Sequence, residues 1–350
     1  MASKHVGHPY DRCSFATNDN VKEQAHMKLS RRAILAAGTG AALFGSGVSA
    51  QPSPARINVG FAAGGTLDVI ARKLSDQLRG KYAETVIVES KIGAGGRIAN
   101  EVAKGAAPDG ATMVLSPSSP MVIFPHVYKK LSYDPQKDFI PVTPVCSNAQ
   151  TFVVGPAVPE SVRTLAQYVS WVKANSDKNG YGTPAAGSIM HFQGLVFQQK
   201  AGIELTHVAY RGMAAVVPDL IGGNLPASMA VTGDVTQHIA TGKLRALAVT
   251  SDKRSRFLPD VPTFAELGFP EVTGVDWYGI FVPARTPAPV VDKLHRLILA
   301  GVQEPAFADN LLKNGFDPYT LPADEFARRI QSETLRWGPI VKASGFTAES

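Results

Sequence analysis

The residues whose types and spacing best suit chemistry lie in two polar, glycine-bearing loops, and the chemistry they suit is the holding of an anion. Phe61-Ala62-Ala63-Gly64-Gly65-Thr66-Leu67-Asp68 joins a β-rich run to a helical pattern. Glycines there let the main chain approach a ligand closely, and the helix behind presents unpaired N–H groups and a partial positive charge. That combination fits a carboxylate or a phosphate, although a tight turn needed only for folding would use the same glycines. Asp68 falls in the first helical turn, where an acid complements the dipole whatever the ligand. Its charge repels an anion unless it orders the loop or binds a donor on the ligand. Ser116-Pro117-Ser118-Ser119 ends another predicted strand, where hydroxyls face the mouth of an α/β sheet; Ser and Pro also simply make turns. Thr183-Pro184-Ala185-Ala186-Gly187-Ser188 is a second polar loop ahead of a helix, with His191 in that helix's first turns. Alone, His191 reads as a packing or hydrogen-bonding histidine.

Several chemistries find no support. There is no Gly-x-Ser-x-Gly elbow after residue 50 and no acid that the sequence identifies as a partner of His191, so a hydrolase triad and any catalytic residue are absent from the expectation. Gly93-Ala94-Gly95-Gly96 has its third glycine misplaced for a dinucleotide fingerprint, and no acid follows at the ~20-residue distance. Cys–His zinc spacing is missing, so neither metal nor cofactor is expected. The net charge is +6, and the first 50 residues carry half of it. No basic block interleaved with aromatics remains, which argues against nucleic acid as a partner.

Alternating short β-rich runs and helical patterns must position these loops. Ile57–Phe61 reads as a strand, and Leu67, Ile70, Ala71, Leu74 and Leu78 form one apolar helical stripe, with Thr66 able to cap it and Gly80 to end it. Thr85–Val88, Ile98–Ala103 and Thr112–Ser116 repeat the strand–helix–strand order, which predicts a parallel sheet with helices on both faces. A Pro-marked stretch, Tyr133 to Pro144, leads into a strand at Thr151–Gly155 and the first crossing to a second domain. Helices at Leu165–Ala174, from about His191 and at Ala214–Ile221, with strands Thr206–Ala209, Ala227–Val231 and Leu244–Thr250, build that domain. Pro259, Pro262 and Pro270 mark the return, and Tyr278–Val282 with three helices from Val290 to Val341 finish the first. The expected organisation is 1–50 leader, 51–148 with 272–350 as one lobe, and 149–271 as the other, a clamp with a cleft between α/β lobes.

The leader has its own signature. Met27-Lys28-Leu29-Ser30-Arg31-Arg32, an apolar Ala/Gly-rich run to Val48, and Val48-Ser49-Ala50 follow the order basic, apolar, small of a bacterial export signal. The arginine pair points to the twin-arginine route, with Met27 a plausible start and cleavage after Ala50. Export leaves Cys146 as the one cysteine of the mature chain, without a disulfide partner. No later apolar stretch reaches the ~18 residues of a membrane span.

Taken together, the segments resemble the Bug (TctC-like) family of periplasmic solute receptors of tripartite tricarboxylate transporters. The resemblance rests on Phe61–Asp68, Gly93–Gly96, Ala107-Pro-Asp-Gly110, Leu131–Phe139, Tyr210-Arg-Gly212, Gly242–Val249, Leu258–Thr263, Trp277-Tyr-Gly279 and Pro283–Pro287, in family order over roughly 55–345. It implies a bilobal fold of the periplasmic-binding-protein type II kind that closes on a small carboxylate and delivers it to a membrane permease, or presents its closed form to a membrane sensor kinase. A periplasmic enzyme of the same architecture is the weaker rival. The resemblance implies ligand contacts from Phe61, Ala63, Gly64, Gly65, Thr66, Asp68, Ser116 and Ser118 in one lobe, and from Thr183, Gly187, Ser188 and His191 in the other. Pro184 and Ala185 depart from the family's loop, Pro218 from its regular helix, and Pro226 and Ala230 stand where the family usually has Asp. Loss of the acid at Ala230 implies a more apolar wall and a carboxylate with an uncharged or aromatic tail rather than an amino acid.

Overall fold

The computed structural model describes residues 54–348. The export signal, its arginine pair and the cleavage point at Ala50 lie outside them. In chain order the first elements are β1 (Ala55–Val59), α1 (Thr66–Leu78), β2 (Val86–Ser90), α2 (Arg97–Lys104), β3 (Thr112–Pro117), α3 (Ser118–Val122), α4 (Phe124–Val127) and β4 (Phe139–Asn148). Then come β5 (Gln150–Val154), α5 (Leu165–Ala174), β6 (Gly180–Thr183), α6 (Ile189–Ala201), β7 (Thr206–Ala209), α7 (Met213–Ile221), β8 (Ala227–Val231), α8 (Thr232–Ala240) and β9 (Arg245–Val249). The chain closes with β10 (Asp276–Pro283), α9 (Ala288–Gln303), α10 (Pro305–Lys313), β11 (Asp317–Pro318) and α11 (Ala323–Ser344).

These elements make a two-lobed α/β molecule with one sheet per lobe. The first sheet runs β11-β4-β10-β3-β1-β2 and the second β7-β6-β8-β5-β9. The apolar stripe of α1 is the clearest local cause: Leu67, Ile70, Ala71, Leu74 and Leu78 are all buried, against a sheet whose Ala55, Ile57 and Val59 are buried too. In the other lobe Thr164 and Gln167 form a reciprocal capping box that starts α5 where the sequence places it.

The sheets are mixed, not purely parallel as the strand–helix alternation predicts. β1 pairs parallel with β2 and β3, and β6 with β7 and β8, but β10 is antiparallel to both β3 and β4, and β5 to both β8 and β9. The cause is the double crossing. β5, which opens the second lobe, and β10, which re-enters the first, each run opposite to the strands beside them. β4 occupies the stretch that its prolines mark as irregular. Pro141 and Pro144 sit beside the two register shifts of the β4–β10 ladder, where a missing N–H does least harm. α7 runs unbroken through Pro218.

The two crossings are stitched together. Gln150 and Thr250 exchange main-chain and side-chain hydrogen bonds (Gln150 N–H to Thr250 Oγ1 2.9 Å, Thr250 N–H to Gln150 O 2.9 Å). Asn148 donates to the Tyr278 hydroxyl at 3.1 Å, so the crossings form a buried, largely paired polar knot.

Candidate functional site

In the first lobe, the parallel pairing of β1 with β3 brings the loops after them to one sheet edge. The second glycine loop joins them, since a Cβ on Gly60 would lie 2.3 Å from the Gly96 Cα, and one on Gly96 would touch the ring of Phe61 at 3.2 Å and Pro120 at 3.8 Å. Phe61 is half-buried there, while Ala63, Gly64 and Gly65 are exposed and Thr66 is intermediate. Thr66 is the first residue of α1 rather than its cap. Gly65 occupies the N-cap, and no side chain caps the helix. The amides of Thr66, Leu67 and Asp68 therefore lack both an intrahelical and a side-chain partner.

Asp68 is an organiser of this loop. Its carboxylate is buried, and Oδ2 accepts the Gly64 N–H at 2.9 Å and the Arg72 Nε–H at 2.7 Å. Burial alone would raise its pKa, but Arg72 and the Gly64 amide outweigh it and hold the group below the ordinary carboxylate value. Gly64, at φ 81°, turns its amide inward onto that carboxylate. The Gly65 N–H is also used, by Ala62 O at 3.2 Å. Of the amides expected from this segment, those at the start of α1 remain for an anion, and those of the glycines do not.

Ser116 and Ser118 are buried. Ser116 Oγ donates to Pro117 O at 3.2 Å. Ser118 donates its backbone N–H to Asp276 Oδ1 at 3.1 Å, and its hydroxyl sits beside the same carboxylate outside hydrogen-bond geometry. Burial pushes Asp276 up to about 6. The neighbouring Ser119 makes the contact that the sequence did not single out: its Oγ accepts the Ile189 N–H, from the other lobe, at 3.0 Å.

In the second lobe, Thr183, Ser188 and His191 are buried together at the end of β6 and the start of α6. Ser188 caps α6 by accepting the His191 N–H at 3.3 Å, and donates to Ala185 O at 2.8 Å. Thr183 Oγ1 also donates to Ala185 O, at 3.0 Å, so it must accept from His207 Nε2 at 2.7 Å. The Gly187 N–H donates to His191 Nδ1 at 3.2 Å, which puts the proton of the neutral imidazole on Nε2. The two imidazoles stack at 3.8 Å. Burial, then His207, pushes His191 down to about 3, and burial pushes His207 to about 4, so both rings are neutral at pH 7.

Ala230 is buried in β8, consistent with an apolar wall. An acid does stand four residues further on. Asp234, in the first turn of α8, is pushed up to about 6 by burial and acts electrostatically on Tyr278 of the first lobe. Gly233 beside it packs on Asn314 and Gly315. His207, Ser119, Asp234 and Asp276 were thus missed as neighbours of the site. Ser119 alone carried a signal, as part of the Ser-Pro-Ser-Ser turn.

Residues 70–346 match the model of the tripartite tricarboxylate transporter family receptor, TctC. The chain is 32% identical over 302 residues to Protein BugT of Bordetella pertussis, covering 85% of this chain and 92% of that one. The solved structure of the periplasmic binding protein BugD superposes with a TM-score of 0.75 at 31% identity, over 85% of this chain and 99% of that one. Rpa4515 of R. palustris, solved with adipate, gives 0.78 at 27% identity with the same coverage. By the extent of the family match and the order of its loops, the chain belongs to the TctC receptors of tripartite tricarboxylate transporters, which are periplasmic binding proteins and not enzymes.

Proposed function

We propose that the protein, exported and trimmed after Ala50, captures a small carboxylate between its lobes and delivers it to the membrane permease of a tripartite tricarboxylate-type transporter. The lobes are 54–148 with 272–348, and 149–271. The carboxylate sits on the amides of Thr66, Leu67 and Asp68, beside Phe61 and Ala63, with Gly64 and Gly65 shaping the loop. Ser116 and Ser118 line the same sheet edge. Thr183, Gly187, Ser188 and His191 close from the other lobe, His191 offering its Nε2–H.

The observation that carries this proposal is a contrast between two helix starts. α6 is capped by its own Ser188 and by Ser119 of the opposite lobe, whereas no side chain caps α1. A helix start with its amides uncapped at the edge that meets the other lobe favours an anion. The similarity to a protein solved with adipate, and the buried Ala230, favour a mono- or dicarboxylate with an uncharged or aromatic tail.

Calorimetric titration against adipate, shorter dicarboxylates, benzoate and amino acids tests it. Saturable binding of a carboxylate without an ammonium group is expected. Preference for amino acids overturns the ligand class, and binding of none of these overturns the function.

A further inference from the structure

His191 is held on two sides. His207 stacks on it, and Phe346, from the segment after α11, meets it edge-to-face with ring centroids 4.7 Å apart and planes at 84°. Phe346 also reaches Phe192 at 6.0 Å, and a Cβ on Gly187 would lie 3.6 Å from its ring and 3.5 Å from Val127. The segment is anchored at both ends. Gly345, at φ 66°, reverses the chain as α11 ends, and the Phe346 N–H is taken by Ser344 Oγ at 3.1 Å. Beyond it the Ala348 N–H donates to Val127 O at 3.1 Å, and Ala348 forms a parallel bridge with Tyr128. A chain that leaves a first-lobe helix thus pins itself along α4 and turns one ring onto the start of a second-lobe helix.

We propose that residues 345–348 form a strap that fixes the second-lobe half of the ligand site, with Phe346 as the positioning residue for His191. Main-chain bonds from Gly212 N–H to Pro184 O at 2.9 Å and from Ser188 N–H to Ala185 O at 3.4 Å, with the hydroxyls of Thr183 and Ser188 on Ala185 O, tie most of the loop 184–188, and Gly187 hangs by its N–H on His191 Nδ1. If the imidazole shifts, the Gly187 bond lengthens, and the direction of the Nε2–H donor is lost with it. An apolar ring excludes water from one side of that imidazole without competing for its hydrogen bonds. The effect on ligand rests on the receptor function proposed above; the effect on His191 does not.

Two measurements on Phe346→Ala, with Phe346→Leu as the conservative control, decide the matter. The first is nitrogen NMR of the histidine rings in the ligand-free protein. Wild-type His191 is expected to stay a neutral Nε2–H tautomer from about pH 8 to 5, and in F346A its midpoint should move toward the ordinary ~6.5, with F346L in between. The second is adipate binding, where F346A should weaken affinity about tenfold, mostly through a faster off-rate, and F346L should restore most of it. A His191 spectrum and titration identical in wild type and F346A overturn the strap. If wild type binds no carboxylate, the receptor function fails and the nitrogen spectra still judge the strap; if F346A does not fold, F346L against wild type does so.

Discussion

The two halves of the site use one device with two chemistries. In each, a glycine in the left-handed region (Gly64 at φ 81°, Gly187 at φ 74°) donates its N–H to a side chain four residues on, the third residue of the helix behind. In the first lobe the acceptor is the Asp68 carboxylate, held ionised by Arg72. In the second it is the neutral imidazole of His191. A charged acceptor is the stronger tether, but it places negative charge near the start of α1. Asp68 spends that charge on Gly64 and Arg72, which leaves the first amides of α1 electropositive. The imidazole adds no charge to its wall and still offers a donor on its far nitrogen. Under the proposed function, one lobe holds the charge of the ligand and the other covers it.

Replacing Asp68 tests the stronger half. In Asp68→Ala the Gly64 amide loses its acceptor and Arg72 its partner, and the loop over residues 62–65 keeps its internal Gly65 N–H to Ala62 O bond. Unmaking a buried charge-assisted bond costs more than the bond's net worth. We expect carboxylate affinity to fall at least about tenfold, measured by calorimetry, with the fold retained by circular dichroism. Unchanged affinity would mean that the loop is ordered by the glycines alone.

Acid separates the two halves next. His191 has a depressed folded value, about 3 against an ordinary 6.5, so the unfolded chain binds more protons between those limits. Its contribution is complete above pH 6.5 and is lost as pH falls toward 3. Asp68, lowered below 3.8, contributes fully above that value and is lost only as pH falls through its lowered folded value. Asp234 and Asp276, both raised to about 6, have the opposite sign between 3.8 and 6. The total profile therefore mixes signs, and His191→Gln isolates one part. Between pH 7 and 5, wild type should lose about 2 kcal/mol more stability than the Gln variant, read from urea unfolding at each pH. Parallel profiles would place His191 in a wetter environment than its burial indicates.

What the sequence disclosed follows the range of the physics involved. The α1 stripe, the bounds of α5 and the strands β7 and β8 were legible because local periodicity and turn residues fix them. β4 was hidden by Pro141 and Pro144, whose compatibility with a strand depends on bulges opposite β10, far along the chain. α8 was hidden because its nine residues include Gly233 and few apolar side chains. The site loops were found as segments, but their internal bonds were not. Thr66 looked like a cap and is not one, and the hydroxyls of Ser116 and Ser118 face inward. The contacts of Ser119 with Ile189 and of Phe346 with His191 join residues far apart in the chain, and no local pattern encodes them.

The smallest effect belongs to a bond that joins the two site loops directly. Ser119 Oγ accepts the Ile189 N–H, so the first lobe completes the capping of α6, while no side chain of the second lobe caps α1. In Ser119→Ala that amide is left bare in the closed molecule, but in an open one water can reach it. The penalty falls on the closed state and scarcely on folding. A ligand that selects the closed state must then overcome it, which weakens affinity about fivefold for a penalty of ~1 kcal/mol, through the off-rate and with an unchanged melting temperature in the free protein. Loss of melting temperature with unchanged ligand kinetics would show instead that the lobes stay closed without ligand, and that α6 draws its cap from a permanent interface.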